Sequence, residues 1–519
     1  MKSHLKYYAL NLGRDIPAGL VVFLVALPLC LGIALASGAP LFSGVIAGII
    51  GGLVVAWLSG SHLSVSGPAA GLTVIVFNAI ETLGNFSAFL LALVIGGFLQ
   101  MMLGFLRAGL IGAFFPSAVI KGMLAAIGMI LIIKQTPHAT GFDASYVGDE
   151  SYMQETAHSS LIELFQALHG ISPGATIVSG VALLILILWE TQLLRRLTLV
   201  RMIPGPLLAV VWGVAYNLWA QVHAPELAIG TKHMVSLPEL GSTSNFLAQL
   251  RLPDFSYLTN PKVYSVALTI AIIASLETLL SIEAVDKLDP HKRIAPTNRE
   301  LKAQGVGNML SGFVGGLPIT AVIVRSAANI NAGGQTRISC VVHGLLLLVS
   351  VVFFAQYLNM IPLACLAAIL LQTGYKLAKP SMLLEFYNKG WNQFLPFIIT
   401  VVAILFTDLL EGIIFGMTIG IFFVLKANFH EAMTLTAHGS HYLLRLHKDV
   451  SFLNKALLRK HLSSIPEDSE VLIDGNKAIF IDHDILETIA DFLLSAPDNH
   501  ISVEIQGFSV EDIAPSTGH

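Results

Sequence analysis

The chain has 519 residues, 55% of them hydrophobic and only 12% charged, with a formal net charge of −4. A soluble domain carries about twice that charged fraction, which excludes an ordinary water-soluble fold, and so small a net charge gives no ground for a nucleic-acid partner. Cys30, Cys340 and Cys365 stand alone in separate apolar runs, a spacing that suits neither a metal site nor a disulfide framework.

Apolar runs of about 20 residues recur along the chain, the mark of a polytopic α-helical membrane protein. Lys2, Lys6 and Arg14 precede the first run. That run is longer than the ~7–15 residues of a signal-peptide core, so it is read as a span. The predicted segments are approximately 16–37, 42–60, 64–80, 86–106, 112–134, 173–190, 203–222, 262–285, 301–315, 318–331, 337–357, 360–378, 392–409 and 411–428. Several are too short to span alone. The third and tenth are the least apolar, each broken by Gly and Pro near its start.

Lys and Arg set the orientation. With the N-terminus in the cytoplasm, Arg107, Arg195, Arg196, Arg201, Lys287, Lys292, Arg293, Arg299, Lys302, Arg337 and Lys376 all fall inside. The 136–172 loop, with five acids (Asp143, Asp149, Glu150, Glu155, Glu163) and no Lys or Arg, falls outside. Fourteen segments also return the C-terminus to the cytoplasm. The transmembrane region, residues 1–430, divides into repeats 16–222 and 262–428 of seven segments each, and an odd number makes them inverted. Gly67-Pro68-Ala69-Ala70-Gly71-Leu72-Thr73 opens the third segment and Gly316-Leu317-Pro318-Ile319-Thr320 the tenth. Paired, interrupted segments in corresponding positions point to a transporter's binding site.

Read as facing half-helices, these segments bring two positive dipole ends together. The third should run from a short extended stretch into a helix from Ala69. The tenth should start its helix beside Thr320. Arg325 follows on the tenth. An isolated Arg at mid-bilayer costs about 2.5–3.5 kcal/mol on insertion scales, so it should face a polar cavity or a partner. Arg325, Thr320, Ala69, Ala70, Gly71, Thr73 and Ala321 are the candidate anion-binding residues, with Phe23 and Phe77 as flanking aromatics. Glu277 is the second buried charge. It is either a coupling site for a proton, or for sodium with Ser275 or Thr278, or the fixed ion-pair partner of Arg325. No metal site, resident cofactor or nucleophile–base set is legible. The mean hydropathy drops after Phe429, and residues 438–519 read as a small cytoplasmic α/β domain: strands at 442–446, 470–474 and 501–505, helices at 455–462 and 485–495.

Together these features resemble the SulP anion transporter family, called solute carrier family 26 in animals. The matching stretches are Asp15-Ile16-Pro17-Ala18-Gly19-Leu20, Ser64-Val65-Ser66-Gly67-Pro68-Ala69-Ala70, Pro116 through Gly122, Ser275-Leu276-Glu277-Thr278-Leu279-Leu280 and Pro318 through Arg325. Val471 through Asp474, with Ala478 through Asp482, look like the core of a STAS domain. The resemblance implies two inverted seven-segment repeats. Segments 1–4 and 8–11 would form a core domain, and segments 5–7 and 12–14 a gate domain. It also implies a homodimer, an elevator movement, and an anion held between the third and tenth segments. Val324 replaces the small hydroxyl residue many relatives carry before the arginine. Asp482 is followed by His483 rather than a phosphorylatable Ser or Thr, and the last STAS helix should be missing after Phe508. The stretch Leu27 through Ala34 looks like a bacterial branch found beside carbonic anhydrases, which favours bicarbonate over sulfate. The expected protein is a secondary active carrier in a bacterial inner membrane. A passive anion channel or exchanger, or a nucleobase carrier of the same architecture, are the alternatives.

Overall fold

The structure is a computed structural model that describes residues 2–109, 116–141, 171–191, 203–238, 250–407 and 409–508. Arg195, Arg196, Arg201, the five acids between Asp143 and Glu163, and anything beyond Phe508 lie outside the described residues. The chain divides into two compact units, Met1–Gly416 and Met417–His519.

The first unit is helical, with a helix at each segment read from the sequence. The first four are α1 (Lys2–Ala36), α2 (Leu41–Leu58), α3 (Thr73–Leu83) and α4 (Phe86–Phe105). Next come α5 (Ser117–Thr140), α6 (Pro173–Trp189) and α7 (Gly205–His223). The second half supplies α8 (Pro261–Leu288), α9 (Thr297–Val314), α10 (Ile323–Asn331), α11 (Ile338–Leu358) and α12 (Leu363–Leu377). A short α13 (Ser381–Asn388) precedes α14 (Trp391–Phe406) and α15 (Leu409–Glu431). Among the described residues, six helices are long and apolar enough to cross a membrane alone. Outer helix faces carry bare apolar side chains such as Phe353 on α11 and Phe406 on α14, 70% and 84% exposed, as lipid-facing residues must be.

Small residues let these helices approach closely. A methyl group at Gly97 would lie 2.6 Å from the Met309 backbone nitrogen, and one at Gly305 2.6 Å from that of Met101, so α4 and α9 touch backbone to backbone. The same holds for α5 and α12 at Gly128 and Gly374. Packing sorts the unit into two helix groups. α4 lies on α8 and α9, and α1 on α2 and α11; α5 lies on α12 and α14, and α6 on α7 and α12. Asp15, fully buried, ties α1 to the start of α11 by accepting the backbone N–H groups of Gln335 and Thr336 at 2.7 and 3.0 Å. α13 was not legible as an element: only Phe386 of its eight residues is buried, stacked on Phe397.

The second unit carries a four-stranded sheet of order β3-β4-β5-β6: β3 (Met433–His438), β4 (His441–Val450), β5 (Glu470–Ile481) and β6 (Ser502–Gln506). β3 and β4 form an antiparallel hairpin, and the β4–β5 and β5–β6 pairs are parallel. The parallel pairs are crossed over by α16 (Lys455–Ser463) and α17 (His483–Ser495). Leu444, Leu446, Ile473, Leu458, Ile485 and Ile489 fill the core. The stretches 471–474 and 478–482 belong to one strand, with Asp482 capping α17. Strand β3 was not read from the sequence.

Candidate functional site

Two tripeptides break the helical pattern in the middle of the first unit. β1 (Ser66–Pro68) and β2 (Ile319–Ala321) pair antiparallel, with Gly67 opposite Thr320. β1 leads through a 3-10 turn, Ala70–Leu72, into α3, and β2 leads into α10. Antiparallel strands that each feed a helix present the two helix starts at opposite ends of one ribbon. The helices begin later than the sequence suggested. Ala69 is extended (φ −116°), so the third segment turns helical at Ala70, not Ala69. Thr320 lies inside β2 and does not cap a helix; α10 starts at Ile323. Pairing of the two strands overrides the local tendency to start a helix after Pro.

Backbone at this depth needs partners for every N–H and C=O, and buried side chains provide them. Val65 N–H donates to Ser326 Oγ at 2.9 Å, and Asn329 Nδ2 donates to Leu63 O at 3.0 Å. Asn308 closes the other edge: Oδ1 accepts Ile319 N–H at 2.5 Å, and Nδ2 donates to Ile319 O at 3.1 Å and Gln100 Oε1 at 2.7 Å. Gln304 donates to Ser66 Oγ at 2.8 Å. Sequence reasoning missed all four residues. The signal was there: Gln304 and Asn308 one turn apart on α9, Ser326 and Asn329 one turn apart on α10, all in apolar surroundings.

Arg325, the third residue of α10, is 0% exposed. Its Nη2 donates to Pro68 O at 3.1 Å, while Nε and Nη1 have no hydrogen-bond partner. Among the described residues no carboxylate pairs with it. Gly67 makes room: a methyl group there would lie 2.3 Å from Nη1. The guanidinium is thus an uncompensated buried charge held against the ribbon.

Glu277, on α8, is partly buried and meets the other helix start. Its carboxylate accepts the Gly71 backbone N–H, and Oε2 has no partner. A methyl group at Gly71 would lie 2.6 Å from Oε1. The ion pair between Glu277 and Arg325, one of the two sequence expectations, does not form. Both charges instead lie along the β1–α3 connection without meeting, Arg325 at Pro68 O and Glu277 at the Gly71 N–H.

The remaining predicted residues sort around this frame. Thr320 and Thr278 are fully buried with unpartnered hydroxyls. Thr73 donates to Ala70 O at 2.8 Å and Ser275 to Ala271 O at 2.6 Å, so both have lone pairs left to accept with. Ala69, just after β1, and Ala321, the last residue of β2, are buried, and Ala70 is partly buried. Phe77 faces α5, where Lys134 Nζ sits 3.0 Å from its ring centroid, a contact no sequence pattern announced. A cavity of about 670 Å3 lies between α1 and α10 on one side and α6, α7 and α12 on the other. Val21, Val25 and Val324 line it; Phe23 lies on another face of α1, since only residues about four apart share one.

Broken helices thus meet at a two-stranded ribbon beside a buried guanidinium with two unpartnered nitrogens. Residues 12–402 match the sulfate permease family. The chain belongs to that family. Among curated relatives of this permease, the putative sulfate transporter YvdB of Bacillus subtilis is 27% identical over 84% of this chain and 78% of its own length. The bicarbonate transporter BicA of Picosynechococcus is 28% identical over 71% of this chain and 62% of its own. Among solved structures, the murine solute carrier 26 family member A9 anion transporter in its inward-facing state superposes with a TM-score of 0.77 at 15% identity, covering 97% of this chain and 87% of that one. The permease therefore has the helical membrane transporter fold, and its C-terminal sheet is compatible with a STAS domain.

Proposed function

We propose that this permease is a secondary active carrier of bicarbonate, with sulfate as the second substrate. The anion binds at the β1–β2 ribbon, drawn by Arg325 and by the starts of α3 and α10. The observation that carries this reading is Arg325 itself: fully buried, two nitrogens unpartnered, no acidic partner among the described residues. An uncompensated charge in such surroundings is strongly unfavourable, and a bound anion removes the imbalance. Thr320, with its free hydroxyl, is the side-chain donor to that anion, and Thr73 and Ala70 flank it. Bicarbonate is placed first because the cyanobacterial relative is named a bicarbonate transporter; YvdB's name supports sulfate.

Coupling is assigned to Glu277. While ionised it occupies the Gly71 N–H that an incoming anion needs. A proton, or a sodium ion shared with Thr278 and Ser275, neutralises it and frees that helix start, so cation and anion travel together. An uncoupled channel has no use for a carboxylate there. The wider proposal is fourteen spans in two inverted repeats, termini in the cytoplasm, in a homodimer of a bacterial inner membrane. The two helix groups act as core and gate, and the core slides against the gate by an elevator movement.

Uptake of labelled bicarbonate and sulfate into proteoliposomes under imposed proton and sodium gradients tests all of this. Arg325→Ala should reduce uptake of both anions by more than about ten-fold, the effect of ~1.4 kcal/mol of lost binding, with the protein still monodisperse in detergent. Unchanged uptake would end the reading. Glu277→Gln should leave exchange of the same anion across the membrane but abolish acceleration by either gradient.

A further inference from the structure

The cavity between the two helix groups runs alongside α10 from Val324, next to Arg325, to Asn331 at its far end. Eight residues of helix span about 12 Å, so the cavity connects the level of the ribbon with the level where α6 and α12 end. Its wall is divided about evenly between polar and apolar surface. At its far end Lys376, in the last turn of α12, pairs with Glu190, the residue that ends α6. Their side chains are 39% and 41% exposed. Among the described residues these two are the charged side chains lining the cavity. Gln372 and Thr373 lie one helical turn or less from Lys376 on the same wall.

A cation and an anion at the mouth of a low-dielectric passage nearly cancel for any solute approaching it. Removing either one shifts the potential inside, because a cleft in the protein focuses the field lines of the charges at its mouth. We propose that this pair is a valence filter: Lys376 draws anions into the vestibule, and Glu190 limits the pull so that singly charged anions are not outcompeted by doubly charged ones. The proposal rests on the anion-carrier reading above and adds the residues that choose among anions by charge before they reach the ribbon. Removing Glu190 makes the mouth more positive by one charge. A doubly charged anion feels that field twice as strongly, so a gain of about five-fold for bicarbonate becomes one of about twenty-five-fold for sulfate.

Two measurements test it on the full chain in liposomes. A cysteine at Thr373 is labelled with a sulfonate-bearing and with a trimethylammonium-bearing methanethiosulfonate; Cys30, Cys340 and Cys365 are buried. The sulfonate-to-ammonium rate ratio should rise about twenty-five-fold on Glu190→Gln, five-fold for each unit of charge by which the two reagents differ, and fall about as much on Lys376→Gln. It should return to the parent value in the double variant and stay there in Lys376→Arg, and the differences should shrink in molar salt. Initial uptake should then show Glu190→Gln raising the sulfate-to-bicarbonate ratio and Lys376→Gln lowering it. A labelling ratio indifferent to both substitutions, or a Thr373 cysteine that does not react, overturns the filter. If the parent protein transports neither anion, the carrier reading fails, while the labelling ratios still report whether the mouth is charged as described.

Discussion

Two glycines hold the charges of this site in place. Gly67 leaves room for the Arg325 guanidinium, and Gly71 for the Glu277 carboxylate, each where an added methyl group would overlap the charged group, at 2.3 and 2.6 Å respectively. Relieving such an overlap forces side-chain or backbone shifts that cost about 1–3 kcal/mol. The two substitutions should therefore differ in kind. Gly67→Ala pushes the guanidinium off Pro68 O and should weaken anion affinity about ten-fold, read from the concentration dependence of uptake, since ~1.4 kcal/mol is a factor of ten. Gly71→Ala displaces the carboxylate instead and should cut the response to an imposed cation gradient while homoexchange persists. If both variants lost affinity alike, the separate roles given to Arg325 and Glu277 would be wrong. Arg325 and Glu277 were conspicuous in the sequence because charge is rare in an apolar run. That they do not pair with each other was not.

At the scale of the element, the ribbon is three residues of strand on each side, too short to be stable on strand pairing alone. Its stability comes from the side chains that close its edges. Asn308 makes three hydrogen bonds there. Asn308→Leu leaves the Ile319 N–H and C=O without partners, and each buried orphan costs about 1–3 kcal/mol. The variant should melt at a visibly lower temperature in detergent, and Ser326→Ala, which orphans only the Val65 N–H, should lose less. The C-terminal sheet has a corresponding device. Asp474 accepts the backbone N–H of Asn476 at 3.0 Å and Arg445 Nε at 2.9 Å, which hold its carboxyl below the usual range. A folded-state value below the unfolded ~3.9 means the stabilisation is complete above that pH and is lost as the pH falls through the folded value. Hydrogen-exchange protection of β4 and β5 should drop as the pH falls below about 4, and Asp474→Asn should flatten the drop. These elements were legible in part. The Gly-Pro break marked the first strand as extended, but the second was read as a helix start and both helices were placed too early, because pairing between residues more than 250 positions apart is invisible to a local pattern.

At the scale of the whole membrane unit, the two helix groups meet where α1 packs on α7 and α12 and where Phe77 meets Lys134, and they part beside α10 to form the vestibule. Phe77 on α3 belongs to one group and Lys134 on α5 to the other, so the contact must break if the groups slide. A cation–π contact contributes about 0.5 to 2 kcal/mol, enough to shift a conformational population several-fold. Lys134→Met should therefore favour the alternative arrangement and slow the labelling of a cysteine at Thr373; faster or unchanged labelling would deny the contact any part in the movement.

The sequence by itself determined that this chain lives in a membrane, where its helices lie, that two of them are broken, and which charges are out of place. Those are consequences of hydropathy, of Gly and Pro, and of the unfavourable energy of a charge in lipid, all properties a residue carries with it. Only the tertiary structure decided that the breaks pair as a ribbon, that Asn308 and Ser326 close its edges, that Arg325 and Glu277 stay apart, and that Lys376 and Glu190 meet at the vestibule mouth. Each of those depends on segments distant in the chain arriving at one place, and that is fixed by the packing of whole helices through their small-residue faces, which no local stretch of sequence encodes.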